Sequence, residues 1–277
     1  VVRLARARAP VALAAAPAAV LAVGFVAANA VTMTRVALRP TVLARTIDRS
    51  MLEGVSWARA VGGPGGRDVM VVESGFFDQL WVTYELRGHT QTSFPFLYGD
   101  YLYRDADWDG RTRRYALVGR TEYLDADPGV VVGQNERFVM LDLSKGDAVI
   151  AVAALGWNTA EPGPSGPAHW MADDGRLRII RSAAAPARLA LTLQANPAVA
   201  PVTLRASTAE RDALGVFDVG TTASPVVIDL PARAGVDVLL ANSPRATPPG
   251  NGDPRPMSVY LSAVRRDPEP GPPAALR

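Results

Sequence analysis

The sequence has no cysteine, only two histidines, His89 and His169, and a single lysine, Lys145. Without thiols there is no disulfide framework, no zinc–thiolate site and no cysteine nucleophile. Two imidazoles leave little for acid–base or metal chemistry, so most common enzyme toolkits are missing. Nor is there a block of charge of one sign. The 29 basic and 27 acidic residues are interspersed to a net charge of +2, which excludes the basic stripe of a nucleic-acid-binding surface, and no nucleic-acid partner is expected. The near-exclusive use of arginine follows GC-rich coding better than it follows chemistry. What is abundant is turn-forming material, with 24 glycines and 23 prolines in 277 residues. That length exceeds one mid-sized core, since domains centre on about 100–150 residues, and predicts two compact units with flanking segments. A collagen-like, coiled-coil or wholly disordered chain is excluded.

One long uncharged run is present. Residues 9–34 carry no charge, and 11–31 is almost entirely Ala, Val, Leu and Phe. At about 1.5 Å per residue such a helix crosses a hydrocarbon core of about 30 Å. Residues 1–8, with Arg3, Arg6 and Arg8, form a basic flank that places the N-terminus in the cytoplasm, although Arg35, Arg39 and Arg45 stand on the other side. Two readings stand together. The run is a retained transmembrane helix in the lipid bilayer, or a signal peptide cleaved after the small-x-small pattern Ala28-Asn29-Ala30. Either makes 40–277 extracytoplasmic. Pro10 and Pro17 near its start are tolerated where neighbouring helices re-satisfy the freed carbonyls, which points to other transmembrane helices as partners. The opening pair of valines among arginines reads as the continuation of a longer frame.

Beyond the run, 41–61 places apolar residues at helical spacing, and Gly62 to Gly66 ends that helix. The run Val69-Met70-Val71-Val72 reads as a buried strand, Ser74 as the cap of a second helix over 75–86, and 90–94, 114–120, 137–143 and 148–154 as further strands. These make a small α/β unit over 41–155. From 156 onward the texture is short strands separated by Pro, Gly, Asn and Asp, at 176–181, 187–194, 202–207, 215–219, 226–230, 236–242 and 257–264. Leu189, Leu191 and Leu193 share one face of such a strand. Seven strands at this spacing predict an antiparallel β-sandwich over 156–266. The proline-rich tail 267–277 forms no ladder.

Three constellations bear on chemistry. Asp105, Asp107 and Asp109 before Gly110 resemble the opening of a calcium loop. The closing twelfth position is Ala116, however, and Arg111, Arg113 and Arg114 crowd the loop, so an acidic turn paired with its own arginines is the competing reading. No cofactor is expected, calcium at these three aspartates being the one alternative. Ser74 lacks the preceding glycine of a hydrolase elbow and reads as a helix cap. The third runs from Gly156-Trp157-Asn158-Thr159-Ala160-Glu161 across a Pro/Gly loop to His169-Trp170-Met171 and Asp173-Asp174-Gly175. Aromatic rings beside carboxylates suit a sugar, whose CH faces stack on rings while its hydroxyls take polar partners. Trp157, Glu161, His169 and Trp170 are therefore the candidate ligand contacts, against the alternative that the tryptophans plug the core.

The passage 69–86, with Asp78-Gln79-Leu80-Trp81 and Tyr84-Glu85-Leu86, then Gly156-Trp157 with Glu161, His169-Trp170-Met171, and late Asp253-Pro254-Arg255, occur in an order that resembles the C-terminal extracytoplasmic region of bacterial multi-pass C-type glycosyltransferases, which use lipid-phosphate-linked sugars. His169 and Asn158 depart from that pattern, which has arginine and an aromatic there. The resemblance implies a terminal, non-catalytic part that positions or binds envelope glycan. The expected fold class is thus α+β: an N-terminal transmembrane helix, a small α/β unit, and a sandwich of the jelly-roll or carbohydrate-binding-module kind. The expected function is a membrane-anchored extracytoplasmic glycan-positioning module. The alternative is an exported carbohydrate-binding or adhesion protein with a cleaved signal.

Overall fold

The structure is a computed structural model that describes residues 49–62, 69–72, 82, 91–92, 113–172, 174–183, 187–249 and 252–267. The chain divides into two units, Val1–Asp48 and Arg49–Arg277, and all described residues belong to the second.

Helix α1 (Arg49–Gly62) buries Met51, Val55 and Ala58, a stripe at helical spacing, and leaves Leu52 exposed. The stripe lies on a mixed sheet. A Cβ at Gly54 would come within 2.8 Å of the Phe138 ring, so glycine lets the helix backbone settle onto the strands. In that sheet β1 (Val69–Val72) runs parallel to β2 (Gln91–Thr92) and to β3 (Tyr115–Gly119). Antiparallel to β3 lies β6 (Phe138–Asp142), which pairs in turn with β5 (Val131–Gln134). The strands β1 and β6 are buried throughout, as continuous apolar runs covered on both faces should be.

The remaining strands form two antiparallel sheets face to face. The first has six strands in the order β13 (Ala213–Val219), β12 (Val202–Thr208), β15 (Gly235–Ser243), β10 (Gly175–Arg181), β7 (Ala148–Ala153) and β4 (Tyr123–Ala126). The second has five, in the order β14 (Ser224–Leu230), β11 (Ala187–Ala195), β16 (Val259–Arg266), β9 (Gly166–Trp170) and β8 (Glu161–Gly163). Alternate residues fill the space between them, among them Ala151, Leu177, Ile179, Leu189, Leu191, Leu193, Leu204, Ile228, Val238 and Leu261.

A second core lies on the other side of the six-stranded sheet. Met70, Val72, Ala116, Val118, Val139 and Leu141 of the mixed sheet pack there against Ala148, Ile150, Val152 and Ile180. The mixed sheet therefore covers the outer face of the six-stranded sheet over β7 and β10. The outer face of the five-stranded sheet has no such cover among the described residues.

This corrects the expected fold class. The described chain is predominantly strand, sixteen strands against one α-helix, and the α/β unit is not a separate body. Strands β4 and β7 come from within 41–155 yet complete the six-stranded sheet with strands from beyond 156. The reason is the double burial of β7. Val149, Ala151 and Ala153 enter the sandwich core while Ala148, Ile150 and Val152 enter the second core, so an all-apolar strand serves both. The transmembrane helix assigned to 9–34 lies outside the described residues, and among the described residues no helix is long and apolar enough to cross a membrane. The helix over 75–86 is likewise outside them apart from Val82, which is helical and buried, as is the tail from 268.

Candidate functional site

The sequence-assigned ligand residues straddle a sheet. Trp157 pairs with Met171 in an isolated antiparallel bridge, and its indole N–H donates to the Arg176 carbonyl at 3.0 Å. The ring closes one end of the sandwich core. Two glycines accommodate it: a Cβ at Gly175 would come within 2.9 Å of the Trp157 ring, while Gly156 takes φ +79° and faces the Asp174 backbone with no room for a side chain. Gly156→Ala is expected to lower stability by about 1–3 kcal/mol, measured as a fall in the urea midpoint, because both backbone strain and overlap must be relieved.

His169 also points inward and is buried. Its Nδ1 lies 2.9 Å from the Tyr123 hydroxyl, which sits 2.8 Å from the Leu261 carbonyl. The single phenolic proton must go to the carbonyl, which can only accept, so Nδ1–H donates to the phenol oxygen and the imidazole is the Nδ1–H tautomer. Burial lowers the His169 pKa to about 4 and pushes the Tyr123 phenol up. Trp157 stands edge-on to the imidazole at 6.5 Å. Trp157 and His169 are thus packed within the sandwich.

Glu161 and Trp170 lie on the opposite, outer face of the five-stranded sheet. Trp170 and Tyr260 are direct Cα partners between β9 and β16, and their half-buried rings meet at 4.8 Å with 43° between planes. Beside them the β8–β9 hairpin turns tightly, with Gly163 opposite Gly166, and brings Glu161 opposite Ala168. The Arg255 guanidinium bridges two carboxylates, reaching Glu161 Oε1 at 2.7 Å and Asp253 Oδ2 at 2.6 Å. Those contacts hold the Arg255 pKa up, Asp253 more than Glu161, and the Arg255 hydrogen bonds hold the Asp253 carboxyl below its usual range. Burial and then the Glu161 charge raise the Tyr260 phenol. Gln194, the Cα partner of Tyr260 on its other side, donates from Nε2 to the Thr221 carbonyl at 2.8 Å. The result is a pair of aromatic faces flanked by an ordered row of carboxylate, guanidinium and carboxylate.

Tyr260, Arg255 and Asp253 were not among the residues singled out as ligand contacts. The signal for Tyr260 was present: it stands between Val259 and Leu261 in an alternating strand, which puts an aromatic on the face opposite the core. Asp105, Asp107 and Asp109 lie outside the described residues, and among the described residues no group of three or more His, Asp or Glu side chains is placed to hold a metal ion.

Two cavities accompany these features. One of about 440 Å³ opens at an end of the sandwich beside Arg188 and Arg266, whose charges are matched by Asp229 and Asp267 and by Asp125 and Asp127. The other, of about 270 Å³, lies where Gly119, Arg120 and the start of β4, the hairpin residues Ser165 to Pro167 and the end of β16 converge.

No family model matches the chain, and no curated protein matches it. Among solved structures it is similar to a family 29 carbohydrate-binding module from Piromyces equi, with a TM-score of 0.23 and 7% identity over 52% of this chain and 89% of the module. It is also similar to the CBM22-1 xylan-binding domain of Paenibacillus barcinonensis Xyn10C, with a TM-score of 0.23 and 11% identity over 57% of this chain and 88% of that domain. A further family 29 module matches with a TM-score of 0.23 and 6% identity over 42% of this chain and 86% of its own. Likenesses this slight do not identify a ligand.

Proposed function

We propose that this protein is a glycan-binding β-sandwich whose contact surface is the outer face of the five-stranded sheet at Trp170 and Tyr260. The observation that carries the reading is the half-exposed ring pair, held by direct strand pairing and flanked by the ordered Glu161–Arg255–Asp253 row. Rings of this kind take the CH faces of a sugar, and charged groups with spare lone pairs and N–H bonds take its hydroxyls. Covering of the six-stranded sheet over β7 and β10 by the mixed sheet supports the choice of face. The sequence resemblance to C-type glycosyltransferases supports an envelope polysaccharide as the glycan class, with this part positioning glycan beside the catalytic parts of such an enzyme.

The test is glycan-array and calorimetric binding of the full chain beside Trp170→Ala and Tyr260→Ala. Each truncation is expected to weaken binding about tenfold, since stacking and the ring's buried area go together. Neither ring belongs to the sandwich core, so thermal melting is expected to change little. A parent chain that binds no glycan, or folded variants that bind as the parent does, would overturn the proposal.

A further inference from the structure

The Glu161–Arg255–Asp253 row beside the ring pair is closed on itself. A guanidinium meets a carboxylate by a fork of two parallel N–H bonds, and it has two edges on which to do so. On the first edge Arg255 Nε donates to Asp253 Oδ1 at 3.1 Å and Nη2 to Asp253 Oδ2 at 2.6 Å. On the second, Nη2 is taken by Glu161 Oε1 at 2.7 Å, which leaves Nη1 as the one nitrogen without a bond among the described residues. Neither edge is open to a second carboxylate or a sulfate in the forked geometry.

The row is also fixed where it stands. The Arg255 backbone N–H donates to Asp253 Oδ1 at 2.9 Å across Pro254, so one carboxylate holds both the guanidinium and the backbone that carries it. Asn158 Nδ2 donates to the Pro256 carbonyl at 3.1 Å and ties this segment to the stretch that leads into β8. Swinging the guanidinium out toward a ligand would leave both carboxylates without it. Two carboxylates stand here against one guanidinium, and the three side chains are 25% to 40% exposed, so their charge faces an incoming ligand. It reaches the rings as well, since burial and then the Glu161 charge raise the Tyr260 phenol. The exposed Arg265 is five residues along β16 from Tyr260, about 17 Å at strand rise and about two screening lengths at physiological salt, too far to offset it there.

We infer that the aromatic face selects uncharged glycan and rejects chains bearing uronate, sulfate or phosphate, the discriminating device being the self-closed Glu161–Arg255–Asp253 row. The inference rests on the glycan-binding reading above and narrows it. A neutral sugar stacks on the rings and donates its hydroxyls to the Glu161 carboxylate. An anionic group at the same place finds the guanidinium engaged and a charge of its own sign beside the rings.

The experiment titrates matched pairs into the full chain: cellohexaose and mannohexaose, each beside the uronate hexamer in which every C6 hydroxymethyl is a carboxylate. In the parent the neutral member is expected to bind at least tenfold tighter at 50 mM salt, and the ratio to narrow at 500 mM as charge is screened. Asp253→Asn loosens the first edge of the fork, and Glu161→Gln removes the charge nearest Tyr260. Each is expected to raise the uronate-to-neutral affinity ratio about tenfold, the worth of a charge-assisted hydrogen bond. The ratio is the readout because a variant that merely loosens the turn lowers both affinities together. Glu161→Gln lies on an edge strand and decides the matter if Asp253→Asn does not fold. A parent that binds a uronate as tightly as its neutral counterpart, or folded variants that keep the parent's ratio, would overturn the charge filter and leave the ring pair standing. A parent that binds no member of either pair removes the filter, and a blank glycan array beside it removes the glycan-binding reading too.

Discussion

Asp237→Ala is expected to destabilise the fold by about 3–5 kcal/mol, although Asp237 touches neither the aromatic face nor either cavity. Its partner Arg178 is 1% exposed on β10, with Nε donating to Oδ1 at 2.8 Å and Nη2 to Oδ2 at 2.9 Å. Arg178 lies between Val152 of β7 and Asp237 of β15 as a Cα partner of both, and Val152 belongs to the core beneath the mixed sheet. The guanidinium is thus sealed at the margin of the second core, and a fork of two parallel bonds is what compensates its lost hydration. Arg176, also within 3.7 Å of Asp237, is a quarter exposed and loses less. Removing the carboxylate leaves a buried cation, whereas Arg178→Met combined with Asp237→Leu removes both charges and is expected to recover most of the loss. Urea unfolding of the single and double variants separates the two. A single-variant cost below about 1 kcal/mol would mean that Arg178 draws its compensation from other groups.

The pair also shows what local pattern can and cannot reveal. All seven strands expected from 176 to 264 are present, because leucine, valine and isoleucine at alternate positions between turn residues leave one register that buries them. Four strands escaped notice for separate reasons. The hairpin of β8 and β9 carries Pro162, Pro164 and Pro167, which read as loop; β8 is an edge strand, where a missing N–H costs no ladder bond. β4 and β5 have only four residues each. Arg178, in turn, reads as a solvent-facing residue of an alternating strand, and only the second core placed over that face buries it.

The same period-two rule divides the candidate ligand residues. His169 and Trp170 are consecutive on a strand, so one must face the core and the other solvent, and a single pocket cannot take both rings. Grouping Trp157, Glu161, His169 and Trp170 by nearness in sequence therefore joined two inward residues to two outward ones. The ring that meets Trp170 is far along the chain, Tyr260 across the ladder, and the partner of Glu161 is Arg255 just before that strand; pairing at such distance is invisible to local pattern.

A second large effect is expected from acid. His169 has its pKa lowered to about 4 by burial from an ordinary value near 6.5. Between those values the unfolded chain binds the proton and the folded chain does not, so stability falls as pH drops from 6.5 toward 4 and is fully present above that window. The shift corresponds to about 3 kcal/mol. The carboxyls of Asp127, Asp142, Glu210 and Asp253 are held below their ordinary values and withdraw stability only as pH falls through the carboxylate range. Subtracting a variant isolates the imidazole from them. His169→Asn keeps a side-chain N–H to donate to the Tyr123 hydroxyl and has nothing to titrate. Its unfolding free energy is expected to lose about 3 kcal/mol less than the parent's between pH 7 and pH 4, whatever the cavity costs at neutral pH. Equal losses in the two chains would mean that the folded sandwich admits the proton at its ordinary pKa. Because Trp170 follows His169 directly on β9, expulsion of a charged imidazole from the core would unseat the strand that presents the ring, and glycan affinity is expected to hold down to about pH 4, where the folded chain itself takes up the proton, and to fall below it in the parent but not in His169→Asn.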